Sequence, residues 1–152
     1  MKIRKATKDD VFAIVEMIAD DGLGKTREDF KIPLPAEYYK AFENITNDKN
    51  QELMVVEKEV GGVVGTLQLS FIQYLTYRGG VRAQIEAVRI RKDHRGTGMG
   101  TKMFEWAISR AKERKAHVLQ LTTDKKRPKA IAFYTKLGFK DSHEGMKMHL
   151  LY

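Results

Sequence analysis

The stretch "IRKDHRGTGMGTKMFEWAI", residues 90–108, holds three glycines within five positions, between a basic run and an apolar pattern of helical period. They are Gly96, Gly98 and Gly100. A turn needs one glycine or two, so the third suggests that the backbone amides are left uncovered for a ligand. The first amides of a helix lack intrahelical acceptors, and the helix dipole adds positive charge there. The stretch therefore predicts a site for an anion such as a diphosphate.

Two common phosphate-binding motifs do not fit this stretch. The dinucleotide-binding pattern G-x-G-x-x-G requires a third glycine where the chain has Thr101. The P-loop pattern requires a lysine after its second glycine, but Thr101 follows Gly100. A glycine-rich turn without a ligand is the alternative that stays open.

The composition is that of a globular protein of one domain. The chain has 152 residues, of which 42% are hydrophobic and 32% charged. No apolar run approaches the roughly 20 residues that span a bilayer, and the start "MKIRKATKDD" lacks the apolar core of a secretory signal. Without cysteine there is no disulfide, no thiolate metal site and no cysteinyl acyl-enzyme. We expect a cytoplasmic protein with no membrane partner.

The formal charge of +8, from 28 basic and 20 acidic residues, has two interpretations. It favours solubility, or it serves a polyanionic partner. The chain has no basic stripe interleaved with aromatic residues, no RNA-binding aromatic motif and no zinc finger, so no nucleic acid is expected. A phosphate-bearing cofactor needs only a local cluster such as "RIRKDHR", residues 89–95.

Hydrophobic periodicity predicts an α+β domain around a mixed sheet. Strand-like segments alternate with helical ones, and glycine, proline and polar clusters separate them. Predicted strands are residues 1–6, 52–59, 61–72, 81–90, 117–123 and 145–152, and predicted helices begin at Thr7, Ala36, Gly98 and Pro128. Residues 20–35, with two glycines and two prolines, are predicted to form a long loop.

Two motifs in this pattern resemble those of a known family. Residues 95–100 match Q/R-x-x-G-x-G/A, and "KAIAFYTKLGFK", residues 129–140, matches A-x-x-F-Y-x-x-x-G-F. The chain thereby resembles the GNAT superfamily of acyl-CoA-dependent N-acyltransferases, and the order of its elements agrees from residue 1 to 152. The resemblance implies one N-acetyltransferase domain over residues 1–152, with a central, mostly antiparallel mixed sheet flanked by helices, and acetyl-CoA as the acyl donor.

The resemblance also assigns residues to the cofactor. Loop amides would hold the pyrophosphate of coenzyme A; they belong to Arg95, Gly96, Thr97, Gly98, Met99, Gly100 and Thr101. In the preceding strand Val88, Arg89 and Ile90 would lie along the cofactor, and the main chain of Val88 and Ile90 would pair with the pantetheine arm. Arg127 stands where the family often has asparagine. With the two lysines before it, Arg127 would meet a phosphate, or the three form a solvated basic loop.

Acyl transfer to nitrogen requires an uncharged amine. An amine with a pKa near 10.4 is neutral only about once in 10³ molecules at pH 7, so the site must assist deprotonation. We predict that Glu86 is the general base, acting through water. By period-two alternation, Glu86 shares a face with Gln84, Val88 and Ile90, hence with the pantetheine arm. The alternative is a strand carboxylate paired with a neighbouring arginine.

By the resemblance, Tyr134 stands near the thioester sulfur, where it would donate a proton to the departing thiolate; the alternative is a core residue. A thiol already leaves fairly well, so this help should be smaller than that of the base. The amide of Ile90 or Val88 would stabilise the oxyanion. We expect no covalent enzyme intermediate, and no metal, since the four histidines lack metal-ligand spacing.

The acceptor is an amine of a small molecule or a peptide, and the sequence does not identify it. Its site should lie opposite the cofactor under residues 20–39. There Asp20 and Asp21 could attract a cationic amine, and aromatic side chains could wall the pocket: Phe30, Tyr38 or Tyr39. A non-catalytic acyl-CoA-binding module and a nucleic-acid-binding protein are the competing hypotheses. The family also suggests a homodimer, with the last strand supplying an edge.

Overall fold

The computed structural model describes residues 1–151, and a five-stranded sheet lies at its centre. The strands follow chain order: β1 (Lys2–Lys5), β2 (Gln51–Lys58), β3 (Gly62–Gln73), β4 (Val81–Ile90) and β5 (Val118–Gln120). β1 to β4 are antiparallel, and β5 runs parallel to β4. This is the mostly antiparallel mixed sheet that the sequence predicts.

Helices cover both faces of this sheet. They are α1 (Val11–Ala19), α2 (Gly24–Arg27), α3 (Ala36–Asn47), α5 (Met99–Glu113) and α6 (Pro128–Lys136). The segment labelled α4 (Thr76–Gly79) is a single turn in which Tyr77 and Arg78 have positive φ angles, so it is not a regular helix. The apolar side of α5 packs on β2, β3 and β4 through Met99, Met103, Phe104 and Ala107. α1 and α3 pack on the opposite face. No helix within residues 1–151 is long and apolar enough to cross a bilayer.

The prediction of a last strand over residues 145–152 is wrong where the structure describes it. Residues 145–151 form no strand, and every residue from 140 to 151 is exposed. The segment has the alternation of apolar and polar residues that is typical of a strand. Within residues 1–151, however, no neighbouring strand pairs with it. Tyr152 lies outside the described residues. β5 is also shorter than the predicted 117–123.

A buried carboxylate fixes α5 on the sheet. Glu52 of β2 is 4% exposed and accepts hydrogen bonds from Arg110 at 2.7 Å and from Arg114 at 3.0 Å. Burial raises the pKa of Glu52, but the hydrogen bonds and charges of the two arginines outweigh burial and lower it. Because α5 follows the glycine loop directly, this network also helps to position that loop.

Candidate active site

Each loop glycine has its own structural reason. Gly96 and Gly98 have φ angles of 72° and 79°, in the left-handed region that residues with a Cβ rarely adopt. Gly100 lies in the first turn of α5, and a Cβ there would come within 3.4 Å of the Phe133 ring and 3.5 Å of Ile90. The first two glycines thus turn the chain into α5, and the third lets α5 begin close to β4 and α6.

The backbone amides of this loop are free. Within residues 1–151, the amides of residues 96–101 donate to no backbone acceptor, and the first bond at this end of α5 comes from the Lys102 amide to the Gly98 carbonyl. The hydroxyl of Thr97 is turned inward and donates to the His94 carbonyl at 2.8 Å. Adjacent unpaired N–H groups at the start of a 15-residue helix are an arrangement that can bind an anion.

β4 and β5 separate beside this loop. Their pairing ends at Gln84 of β4 and Gln120 of β5. No strand of the described chain therefore covers the outer edge of β4 from residue 85 to 90. Such an edge offers main-chain hydrogen bonds to an extended group that lies along it.

The peptide groups at this open edge belong to Val88 and Ile90. The Arg91 amide donates to β3 at 2.9 Å, and by alternation the peptide groups of Val88 and Ile90 point the other way. Arginine side chains reach the two carbonyls: Arg89 donates to Val88 at 2.8 Å, and Arg95 donates to Ile90 at 3.0 Å. The two amides face the opening.

A β-bulge in β4 changes which side chains share a face. Ala87 and Val88 lie opposite the single residue Leu67 of β3, and Ala87 has a φ of 51°. The expectation that Glu86 shares a face with Val88 and Ile90 is therefore wrong. Val88 and Ile90 pack against the core beneath α5, whereas Glu86 lies on the opposite face, the one that α1 covers.

Glu86 itself is exposed and lies beside Gln84, whose Nε2 donates to Glu86 Oε1 at 2.6 Å. Within residues 1–151 no arginine pairs with it. The Arg82 guanidinium lies 4.6 Å from the centre of the Tyr74 ring, and Arg89 binds another carboxylate. The bulge puts Glu86 and Arg89 on the same face of the sheet.

Asp21 bridges the two walls of the opening. Its carboxylate lies in the loop after α1 and accepts hydrogen bonds from Arg89 of β4 at 3.0 Å and from Arg127 at the start of α6. The side chains of Asp21 and Arg89 are each 18% exposed, and the Arg89 Nε–H is buried without an acceptor. Burial raises the pKa of Asp21, but the Arg127 hydrogen bond and both positive charges outweigh it and lower the pKa. Two guanidiniums around one carboxylate leave one net positive charge.

Tyr134 of α6 reaches the same opening. Its half-buried ring packs against Phe104, with 5.4 Å between ring centres. Burial raises the pKa of the Tyr134 hydroxyl, and the charges of Arg127 and Arg89 only partly oppose that rise. The hydroxyl therefore keeps its proton at neutral pH and can act as an acid.

One pocket joins the loop after α1, β4, the glycine loop and α6. Every predicted cofactor residue except Thr97 lines it, and Tyr134 lines it too. Glu86 does not. The sequence did not point to Phe104, Phe133 and Gly22, which complete the wall. Phe104 belongs to an apolar helical pattern, which core residues share, and Phe133 belongs to the A-x-x-F-Y motif, but neither had been assigned to the site.

The residues expected on the acceptor side have other partners. Asp21 binds Arg89 and Arg127, and Asp20 lies 3.5 Å from Arg95. The sequence predicts that these two carboxylates attract a cationic amine. The structure instead pairs each of them with arginine. The three aromatic residues of that prediction pack on the apolar cluster between α1 and α3 instead of lining this pocket: Phe30, Tyr38 and Tyr39.

Comparison with known families agrees with this geometry. The model of the acetyltransferase (GNAT) family matches residues 21–139, from the loop after α1 to the residue that packs behind α6. The chain belongs to this family. The family resemblance inferred from the two motifs is therefore confirmed, and so is the predicted fold class. Family membership also confirms the prediction of an acyltransferase.

Individual relatives are similar to this chain over different lengths. The aminoalkylphosphonate N-acetyltransferase of Salmonella typhimurium is 30% identical over 83 residues, which are 55% of this chain and 53% of that protein. This chain thus matches about half the length of that curated relative. A crystal structure of a transcriptional regulator from Bacillus halodurans C-125 is 52% identical, covers 98% of this chain and 99% of that one, and has a TM-score of 0.94.

A further solved structure is that of a predicted acetyltransferase from Clostridium acetobutylicum, determined with acetyl-CoA. It is 25% identical, covers 99% of this chain and 96% of that chain, and has a TM-score of 0.75. Metal ligands are not grouped anywhere in residues 1–151 of the present chain.

Proposed function

We propose that this chain is an N-acetyltransferase that moves an acetyl group from acetyl-CoA directly to a primary amine. One observation carries the proposal: the free amides of residues 96–101 meet the open edge of β4 over residues 85–90. The amides fit a pyrophosphate, and the strand edge fits the amide-bearing pantetheine arm. Family membership and the similar structure with acetyl-CoA support the same donor. When bound, acetyl-CoA would supply the reactive thioester.

Arg127 would contact the cofactor through charge, where the family often has asparagine. Its guanidinium already binds one carboxylate at the rim of the pocket, so an oxyanion of a phosphate has the chemistry to replace or join that carboxylate. Arg95, 48% exposed and held at the end of β4, would add a second positive charge beside the amides.

Glu86 would accept the proton of the attacking amine. Glu86 lies on the face of the sheet against which α1 packs, but its own position is exposed. An acceptor on that side therefore reaches the carboxylate without crossing the core. Because Glu86 does not line the cofactor pocket, the transfer would pass through water. The Gln84 side chain, which donates at 2.6 Å, would fix the orientation of the carboxylate.

Tyr134 would donate its proton to the departing thiolate. Its raised pKa keeps the proton available at neutral pH, and Arg89 and Arg127 would stabilise negative charge beside it. The amides of Val88 and Ile90, which point into the opening, would donate to the developing oxyanion. None of these steps requires a covalent bond to the enzyme.

We extend the proposal to the class of acceptor: an amine that carries an anionic group such as a phosphonate. Arg89 and Arg127 share one carboxylate, so positive charge remains at the site. Arg89 lies on the same face as Glu86, so an amine beside Glu86 would bring its anionic group toward Arg89. The curated relative is named for aminoalkylphosphonates, which have this chemistry.

The experiment is an assay of free thiol with acetyl-CoA and a panel of amines. The decisive pair is 2-aminoethylphosphonate and ethylamine, which differ in the phosphonate alone; a lysine peptide joins the panel. We expect thiol release with an amine, and a higher kcat/KM for the phosphonate. Equal rates for the two amines would contradict the proposal that the acceptor carries an anionic group. They would leave the proposed acetyltransferase activity unaffected. No release from any amine, despite tight binding of acetyl-CoA, would favour a non-catalytic acyl-CoA-binding module.

Three wider expectations stay proposals: one domain over residues 1–152, a cytoplasmic location and a homodimer. We also propose that nucleic acid is not a partner, because the sequence has no basic stripe interleaved with aromatic residues, no RNA-binding aromatic motif and no zinc finger. Binding of this chain to DNA or RNA that weakens steeply with salt would contradict that proposal.

A further inference from the structure

Two consecutive side-chain hydrogen bonds connect β5 to Glu86. Gln120 of β5 donates from its Nε2 to Gln84 Oε1 at 2.7 Å, and Gln84 Nε2 donates to Glu86 Oε1 at 2.6 Å. Gln84 and Gln120 face each other across the two strands, and theirs is the last pair before β4 and β5 separate. Glu86 lies two residues further along β4, beside the open edge, so β5 reaches its carboxylate through Gln84.

The carboxylate decides how the Gln84 amide is turned. An ionised carboxylate only accepts hydrogen bonds, so Gln84 must present its NH2 group to Glu86. The Gln84 carbonyl oxygen then faces β5 and needs a donor, which the NH2 group of Gln120 supplies. The reverse orientation of Gln84 would set its carbonyl oxygen against the carboxylate and its NH2 group against that of Gln120. Gln120 therefore favours the orientation of Gln84 that holds Glu86.

The residues on the other side of Glu86 are bonded elsewhere. Gln68 lies directly opposite Glu86 on β3, but its Nε2 donates to Gln51 Oε1 at 2.9 Å. Ser70 donates to the same Gln51 oxygen at 2.7 Å. In the part of the chain that the structure describes, Gln84 is thus the side chain that holds Glu86, and it engages Oε1. The second carboxylate oxygen, Oε2, is left for water or an amine at this exposed position.

We propose that Gln120 is a positioning residue for the reaction: through Gln84 it holds Glu86 with one oxygen engaged and the other available to accept a proton. This inference rests on the proposed role of Glu86 as general base. Proton transfer requires the accepting atom within hydrogen-bond reach of the proton, and an exposed side chain without a partner samples several rotamers. Gln120 is half-buried and does not line the cofactor pocket, so its effect on the rate comes through Gln84.

The first experiment measures kcat in the free-thiol assay, with acetyl-CoA and with 2-aminoethylphosphonate or ethylamine as acceptor. Gln120→Leu removes one hydrogen bond of the relay and should lower kcat roughly threefold to tenfold, with the Kd for acetyl-CoA unchanged. Gln120→Glu only accepts hydrogen bonds, so it should turn the Gln84 amide around and lower kcat further. Gln120→Lys supplies a donor again and should recover most of the loss.

The control for the added charge is Val118→Glu. It places a carboxylate on the same strand and the same face as Gln120, two residues away, without a contact to Gln84. We expect a kcat within about twofold of the wild type, because an exposed charge at that distance is largely screened. A loss as large as that of Gln120→Glu would show that charge alone, and not the orientation of an amide, explains the effect, and would overturn the proposal.

A double variant separates an effect through Glu86 from a general loss of structure. Glu86→Gln removes the base, so Gln120→Leu should lower kcat by less than about twofold in that background. An equal drop in both backgrounds would mean that Gln120 acts independently of Glu86. That result, or a Gln120→Leu enzyme as fast as the wild type, would overturn the proposal.

The second experiment needs no turnover, so it separates this inference from the proposed function. NMR follows the side-chain amide signals of Gln84 and Gln120 from pH 7 to about pH 3, the range in which a glutamate carboxylate gains its proton. We expect both signals to shift together, and Glu86→Gln to abolish the shift of both. Gln73, whose amide donates to the Gly79 carbonyl, is the control and should be unaffected by that substitution.

The two experiments fail in different ways. If no amine is acetylated, the proposed function is wrong, but a joint shift of the two amides would still show that Gln120 holds Glu86 through Gln84. If the assay works and Gln84 responds to Glu86 while Gln120 does not, the relay ends at Gln84. That result would overturn the present inference and leave the acetyltransferase proposal intact.

Discussion

Asp21 and Arg127 form a salt bridge between residues 106 positions apart, and the bridge spans the opening beside β4. The salt bridge connects the loop after α1 to the start of α6. Both residues line the pocket that the free amides also border. The same carboxylate binds Arg89 of β4, so both walls of the opening are held by one group. The stability and the pH response of the site should therefore depend on this carboxylate.

Asp21→Asn should lower the free energy of unfolding by about 1–3 kcal/mol, because two guanidiniums in a mostly buried position lose their charged partner. Urea denaturation at pH 7 measures the change. The control is Asp20→Asn: that carboxylate is 46% exposed and lies 3.5 Å from Arg95, so its loss should change stability by less than about 1 kcal/mol. Equal effects of the two substitutions would contradict the assigned role of Asp21.

The Asp21 contribution has a defined pH dependence. The pKa of Asp21 is lowered from its ordinary value of 3.8 because the Arg127 hydrogen bond and the two positive charges outweigh burial. Its stabilising effect is then complete above the ordinary pKa and is lost as pH falls through the lowered one. The difference in unfolding free energy between the wild type and Asp21→Asn should be constant from pH 7 to about 5 and should shrink below pH 4. A difference that grows on acidification would speak against this account.

Glu52→Gln should destabilise the fold by about 3 kcal/mol or more, because Arg110 and Arg114 keep their charges beside a position that is 4% exposed. Chemical denaturation at neutral pH gives the value. Glu113→Gln is the matched control, since Glu113 accepts from the same Arg110 at 2.9 Å but is 61% exposed. We expect less than about 1 kcal/mol there. A loss at Glu52 no larger than at Glu113 would refute the idea that this network fixes α5.

Glu86→Gln should lower kcat by roughly 10²–10⁴-fold and leave the Kd for acetyl-CoA unchanged, because it removes the base and no cofactor contact. The deficit should narrow as pH rises toward the pKa of the acceptor, since the amine then loses its proton unaided. Glu105→Gln, at an exposed position of α5, is the control and should keep full activity. Unchanged kcat in Glu86→Gln at pH 7 would remove the residue from the mechanism.

Tyr134→Phe should lower kcat by about tenfold, less than the change at Glu86, since a thiolate leaves partly without help. Because the pKa of Tyr134 lies above its ordinary value of 10, activity should not fall through ionisation of this hydroxyl below pH 10. Steady-state rates across pH 6–10 test both statements. Tyr74→Phe, whose ring contacts Arg82 away from the pocket, should behave as the wild type. A rate loss as large as that of Glu86→Gln would require a different role for Tyr134.

Sequence alone predicted those parts of the site that depend on local chemistry. The glycine loop and the start of α5 follow from residues that are neighbours in the chain, and so do the order and type of most elements. The bulge at Ala87 escaped prediction because alanine rarely adopts a positive φ, so no residue type signals it. The consequence was an error about the face that Glu86 occupies.

Other features depend on contacts that local patterns do not encode. Asp21 meets Arg127 across 106 positions, and Glu52 meets Arg110 across 58. The C-terminal segment of residues 145–151 is the opposite case, because its local pattern is present but the partner that the pattern needs is not. Its alternation is that of a strand, but a strand forms only where a neighbour supplies hydrogen bonds, and within residues 1–151 no neighbour does.

The central claim is that the bare main chain of residues 96–101 binds acetyl-CoA, and calorimetric titration tests it most directly. We predict binding of one acetyl-CoA per chain, weakened at least roughly tenfold by Gly98→Ala, because a Cβ there strains a φ of 79° and intrudes on the anion site. Gly62→Ala, at a φ of 65° at the first residue of β3 with open space around it, carries the same strain away from the pocket and should bind as the wild type. No heat of binding, or equal affinity in all three proteins, would contradict the account.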